Sequence, residues 1–218
     1  MPARVCIKHR MSDGTIMDGP VHGPGQNCVE YGTGAYNNSF FASSVQDFGA
    51  TGNPAALEIA NSNWIAIIDH DDLWLPEKLE IQYDLINKNK NCFLFFSDCY
   101  LFNKSSIKSR FEISEEKDGF IPYKLNLNKT NGYINLIKYG GFIASSTVIF
   151  NKEVLKFVGN FDSSYKFIAD WIFILKISEK YDMHVYPKPL SKWRSHDDQA
   201  TLKMSKRHFN EMFNFYLK

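Results

Sequence analysis

The chain has 218 residues, enough for one ordinary α/β domain that folds without disulfide staples. Its 44% apolar and 22% charged residues are those of a globular protein, and 25 basic against 24 acidic residues leave a formal charge of +1, which argues against a protein built to grip nucleic acid. No apolar stretch approaches the roughly 20 residues of a spanning helix, the N-terminus lacks a signal-peptide core, and Cys6, Cys28, Cys92 and Cys99 show neither CxxC nor metal-like spacing, so they read as reduced thiols of a cytoplasmic protein.

Residues 1–56 hold no leucine and 8 of the 13 glycines. Apart from a short strand expected at Arg4–Ile7 they lack periodicity, and Gly19 to Gly25 is turn chemistry. From Leu57 the composition shifts to Ile, Leu, Phe, Lys and Asn. We therefore divide the chain into an atypical Gly-rich segment, 1–56, and a domain over 57–218. Trp64–Ile68 is a short β-branched run, expected as a strand buried on both faces. It ends at Asp69-His70-Asp71-Asp72. Pro76 is expected at the first helical position, with Leu79, Tyr83 and Ile86 on one face. Cys92–Phe96 reads as a second strand ending at Ser97-Asp98, residues 103–132 as a polar loop, and Thr147–Phe150 as a third strand. Lys152–Val158 is a short helix closed by Gly159, and Ile168–Lys180 a buried helix. Met183–Tyr186 is a last strand, before Pro187 and Pro189. This order points to a mixed, mainly parallel sheet flanked by helices, incomplete on the N-terminal side.

Three carboxylates within four residues concentrate like charge, and at the carboxyl end of a strand they lie where α/β sheets bind ligands. A divalent cation such as Mg²⁺ or Mn²⁺ would neutralise them, since hard cations take oxygen ligands shared with substrate phosphates. The plainer alternative is an acidic loop capping the next turn. Asp170, at the start of the expected helix, reads as its cap, and the rings of Trp171 and Trp193 as core packing.

Ile65 to Glu80, read as Ile-Ala-Ile-Ile-Asp-His-Asp-Asp-Leu-Trp-Leu-Pro-Glu-Lys-Leu-Glu, closely resembles the central motif of family 2 glycosyltransferases with the GT-A fold. Further blocks agree in order and spacing: Ser145 to Phe150, Val158 to Asp162, Ile168-Ala169-Asp170-Trp171, and Pro189-Leu190 with Trp193-Arg194-Ser195-His196. The resemblance covers residues 57 to about 200. It implies transfer of a sugar from a nucleotide-diphosphate donor to a hydroxyl acceptor, metal-dependent and inverting. It implies Asp71, Asp69 and His196 as metal ligands, Asp69, Asp72 and Arg194 at the donor diphosphate and ribose, Asp170 as general base and Trp171 at the acceptor. His70 fills a position the family varies. The implied partners are a nucleotide sugar and a saccharide or lipid-linked acceptor, without nucleic acid or a transmembrane segment. A lipid-linked acceptor would place the protein peripherally at the inner face of the membrane.

The family opens with Val-Ser-Val-Ile-Ile-Pro-Thr-Tyr-Asn and continues with Val-Asp-Asp-Gly-Ser-Thr-Asp, the loops that hold the donor base and ribose. Neither is present here. Ser12-Asp13-Gly14-Thr15 is a faint echo, and Gly52 to Ala56 a remnant of a helix start. Residues 1–56 are expected to be a poorly ordered or replaced nucleotide-binding half; a truncated or shifted reading frame is favoured over a degenerate homologue or a divergent donor pocket, and donor binding is expected to be weak or absent. Two rivals follow: an impaired homologue acting as a binding or assembly protein, and a haloacid-dehalogenase-type phosphatase, which also places a DxD after a strand but lacks its downstream motifs here.

Overall fold

The computed structural model describes residues 62–69, 72–103, 106–195 and 205–217, together with Leu57 and the backbone of 8–10, 16–18 and 41–44. The expected strand at 4–7, the loop at 19–25, the motif remnants at 12–15 and 52–56, and His70, Asp71 and His196 lie outside the described residues.

The elements run β1 (Lys8–Arg10), β2 (Ile16–Asp18), β3 (Phe41–Ser44), β4 (Trp64–Ile68), β5 (Leu73–Trp74), α1 (Lys78–Lys88), β6 (Cys92–Phe102), β7 (Ile107–Ser109) and α2 (Arg110–Asp118). They continue with α3 (Lys129–Tyr139), β8 (Ile149–Asn151), α4 (Leu155–Val158), α5 (Ala169–Lys180), β9 (Asp182–Arg194) and α6 (Ser205–Tyr216), with short 3₁₀ turns at Pro122–Lys124, Ser145–Thr147 and Lys152–Val154. β1 and β2 pair with each other. The other seven strands form one sheet in the order β3-β4-β8-β6-β9-β5, with β7 on β6.

The sheet is mixed, as expected. β3–β4 and the long β6–β9 ladder are parallel, and β4–β8, β6–β8, β5–β9 and β6–β7 are antiparallel. β3, β4, β6 and β9 therefore all run one way. β3 comes from the Gly-rich segment, so β4 is an inner strand rather than an edge.

Alternation along β4 builds two cores. Ile65 and Ile67 join a large cluster with Leu94, Phe96 and Phe150, which packs on the residues of α5. Ala66 points the other way and joins Phe95, Ile149 and Ile86 of α1. Trp64–Ile68 is thus covered on both faces, as its unbroken apolar run predicts. In the large core, Phe173 of α5 stacks on Phe161 at 4.3 Å and meets Phe150 edge-on at 5.1 Å.

Several expectations change. Pro76 lies in a turn, and the helix begins at Lys78 after an N-cap at Glu77. Its buried face is Lys78, Gln82 and Ile86, with Leu79 and Tyr83 only partly covered. Residues 103–132 are not a loop but carry β7, α2 and the start of α3. Those helices read as polar because each buries a narrow stripe, Phe111 and Ser114 in α2 and Gly132 and Leu136 in α3. Both are capped from within: Ser109 accepts from the Glu112 N–H and Asn128 from the Asn131 N–H. Gly119 and Gly140 end them at φ 69°, which glycine adopts without strain.

The third strand is Ile149–Asn151, since 145–147 forms a 3₁₀ turn. The second and last strands are far longer than the apolar runs that announced them, reaching Phe102 and Arg194. Pro187 and Pro189 do not stop β9. The ladder shifts register there, pairing Ser97 with Tyr186, Asp98 with Pro189 and Cys99 with Ser191. An irregular ladder has no use for the missing proline N–H.

Candidate active site

β4 delivers Asp69 to the carboxyl end of its run, and a backbone turn follows in which the Asp72 N–H donates to the Asp69 carbonyl at 3.1 Å. β5 then pairs with Ser191 and Lys192 of β9. This places Asp72 against the end of β9, where its Oδ1 accepts the Arg194 N–H at 2.9 Å. Asp72 is buried, whereas Asp69 is partly exposed. The Arg194 guanidinium lies over the Phe102 ring, 4.6 Å from its centroid.

The 3₁₀ turn at Ser145–Thr147 joins the two halves of the site. The Ser146 hydroxyl accepts the Asp69 N–H at 2.9 Å, and the Ser146 carbonyl accepts Trp74 Nε1–H at 3.0 Å. The Ser145 hydroxyl donates to Asp170 Oδ2 at 2.5 Å. The Thr147 carbonyl accepts from Lys78 Nζ at 2.9 Å and Gln82 Nε2 at 2.8 Å. Three consecutive residues thus hold the acidic loop, the α5 carboxylate and α1.

Asp170 lies in the first turn of α5, two residues past the position a side-chain cap would need, since Ile168 is the N-cap. Its Oδ1 accepts the Trp171 N–H at 2.7 Å. Burial raises its pKa above the usual aspartate range, and the Ser145 and Trp171 hydrogen bonds and nearby His208 of α6 pull it back only in part. Trp171 is 7% exposed, with Phe215 of α6 edge-on at 5.2 Å. α6 is fastened beside it by Glu211, which accepts the Lys166 and Phe167 N–H groups.

Asp69 and Asp170 are thus brought together through adjacent serines, and Arg194 is tied to Asp72. Trp171 is packed beneath α6. Asp71, His196 and His70 lie outside the described residues. Among the described residues no three His, Cys, Asp or Glu side chains stand where they could hold a metal ion. By donor chemistry the loop still suits a hard cation, because Asp69, Asp71 and Asp72 offer carboxylate oxygens.

Sequence reasoning missed Lys78, Gln82 and the bridging roles of Ser145 and Ser146. A signal existed for the first pair. Lys78, Gln82 and Ile86 recur every four residues, so two polar side chains share the phase of a buried one.

A sequence profile described as Glycosyl transferase family 2 matches residues 46–159, just over half of the chain. A curated relative from Escherichia coli, UDP-Glc:alpha-D-GlcNAc-diphosphoundecaprenol beta-1,3-glucosyltransferase WfgD, is 31% identical over 100 residues, covering 46% of this chain and 33% of the relative. The chain thus spans about a third of that relative's length. Among solved structures, S. aureus TarS 1–349 in complex with UDP-GlcNAc is similar at 16% identity, covering 69% of this chain and 40% of that one with a TM-score of 0.49. TarS 1–349 in complex with UDP is similar at 15% identity, covering 76% and 46%, with a TM-score of 0.48.

Proposed function

The chain belongs to glycosyl transferase family 2, and from that premise we propose that it transfers a sugar from a nucleoside-diphosphate donor to a hydroxyl acceptor, with inversion. The observation that carries this reading is the Ser145–Ser146 bridge, which sets a carboxylate suited to a base beside an acidic loop suited to a diphosphate.

In the proposed reaction the acceptor oxygen forms a bond to the anomeric carbon as the bond from that carbon to the β-phosphate oxygen breaks. Asp170 takes the acceptor proton. The bond electrons leave with the nucleoside diphosphate. A single displacement of this kind inverts the anomeric centre. Asp69 and Asp72 shape the loop that faces the diphosphate and ribose, and Arg194 balances phosphate charge. Asp69, Asp71 and His196 would hold Mg²⁺ or Mn²⁺, which when bound supplies Lewis-acid compensation of the leaving diphosphate. Trp171 supports the acceptor side from below, next to the base.

The relative's name specifies a UDP-linked sugar and a diphosphoundecaprenol acceptor. We take a UDP-sugar and a lipid-linked saccharide as first substrates to test. Among the described residues no helix is long and apolar enough to cross a membrane. We propose that the chain meets a lipid-linked acceptor peripherally, at the inner face of the membrane.

The test is transfer from UDP-glucose or UDP-GlcNAc to a diphospholipid-linked saccharide, with the product's anomeric configuration read by NMR. The reading expects metal-dependent transfer, stopped by a chelator and lost in Asp71→Ala and Asp170→Asn. A wild type that binds acceptor but leaves UDP-sugar intact would instead favour the binding or assembly role.

A further inference from the structure

Lys78 is fully buried. Its Nζ donates to Gln82 Oε1 at 2.8 Å and to the Thr147 carbonyl at 2.9 Å, and lies 5.3 Å from the centre of the Trp74 ring. No carboxylate pairs with it among the described residues. It is also the first residue of α1, at the positive end of the helix dipole, where a cation is disfavoured. Burial alone drives its pKa well down. A buried amino group that only neutral oxygens and a ring face compensate is costly to keep, and an apolar side chain of similar shape would often serve stability as well or better. Stability therefore does not explain Lys78.

Its geometry does offer an explanation. The Thr147 carbonyl accepts from both Lys78 and Gln82, so α1 grips the 3₁₀ turn from behind. On its front, the same turn presents Ser145 to Asp170 and Ser146 to Asp69. We propose that Lys78 is a positioning residue for the transfer step, acting through the Thr147 carbonyl to hold the Ser145 and Ser146 hydroxyls on Asp170 and Asp69. This deepens the proposed glycosyltransferase site and rests on that reading for the reaction, though not for the coupling between the residues. Lys78 touches neither carboxylate itself, so its effect must pass through the turn. The groups facing Asp170 are Ser145 from the turn and His208 from α6, with Glu211 of α6 engaged by the backbone of 166 and 167.

The experiment uses Lys78→Met, which keeps length and volume but removes the charge and the donors, with Gln82→Met as the second variant at the same carbonyl. The Asp170 carboxyl is titrated by ¹³C NMR in wild type and variants, alongside thermal unfolding and kcat and KM for UDP-sugar transfer. In Lys78→Met the thermal midpoint is expected to stay level or rise. The Asp170 titration should move to higher pH as the Ser145 hydrogen bond loosens, the acid limb of kcat/KM should follow it, and kcat should fall about tenfold. A purely structural lysine would instead lower the midpoint and leave the titration in place.

An unchanged Asp170 titration in folded Lys78→Met overturns the proposal. If that variant does not fold, an unchanged titration in Gln82→Met overturns it, and a raised one supports it. If the wild type transfers no sugar while the titration still shifts, the assigned reaction fails and the coupling through Thr147 stands.

Discussion

The Ser145 hydroxyl donates to Asp170 Oδ2 at 2.5 Å, across 25 residues of sequence. A hydroxyl so placed orients a carboxylate and favours its charged form. Asp170→Asn is expected to lower kcat about 10²–10⁴-fold, the usual worth of a general base. Ser145→Ala should lower it by about tenfold, the share of one hydrogen bond to a charged group. Steady-state transfer rates for the two variants check both values, and a Ser145→Ala enzyme at full rate would remove the serine from the site.

The pH dependence follows from the sign of the Asp170 shift. Burial raises this pKa, and a base must be deprotonated, so kcat/KM should climb with pH through a limb above the ordinary aspartate value of about 3.9. The folded state binds this proton more tightly than the unfolded state. The resulting stability is fully present below the unfolded pKa and is lost as pH rises through the folded one. Asp170→Asn should therefore gain stability relative to wild type as pH rises from the ordinary aspartate value of about 3.9, measured by denaturant midpoints along the rise.

Asp72 combines a structural contact with a proposed electrostatic role, and two substitutions separate them. Its Oδ1 accepts the Arg194 N–H at 2.9 Å. Asp72→Asn keeps that acceptor, so urea unfolding should change little while sugar transfer falls. Asp72→Ala orphans the N–H and should destabilise by about 1–3 kcal/mol.

A second buried carboxylate has no place in the proposed chemistry and serves as a test of packing. Asp98 accepts from the Ser109 hydroxyl at 2.5 Å, the Cys99 N–H at 2.7 Å and the Phe111 N–H at 3.0 Å. Ser109 also caps α2. Ser109→Ala removes a cap and a donor to a buried acid, a combined cost of about 2–4 kcal/mol. Chemical denaturation should show the loss, and transfer activity of the folded fraction should be unaffected.

The contrast between Asp69 and Lys78 shows what was legible beforehand. Asp69 follows an apolar run, and its place at a strand end could be inferred from residues 64–72 alone. Nothing local to Lys78 signals a buried cation, because its acceptor on the Thr147 carbonyl stands 69 residues away. β9 is similar. Met183–Tyr186 announced it, but its continuation past Pro187 and Pro189 depends on a neighbouring strand, β6, that accommodates the shifts in register.

The amino-acid sequence by itself determined the family, the mixed α/β class, the position of the acidic loop and the candidacy of Asp170, because each rests on contiguous residue patterns. Only the tertiary structure decided that Ser145 meets Asp170, what Lys78 holds and how Asp72 reaches Arg194. Those contacts join residues 25, 69 and 122 positions apart, and such pairings arise from sheet order and helix packing, which no local pattern encodes.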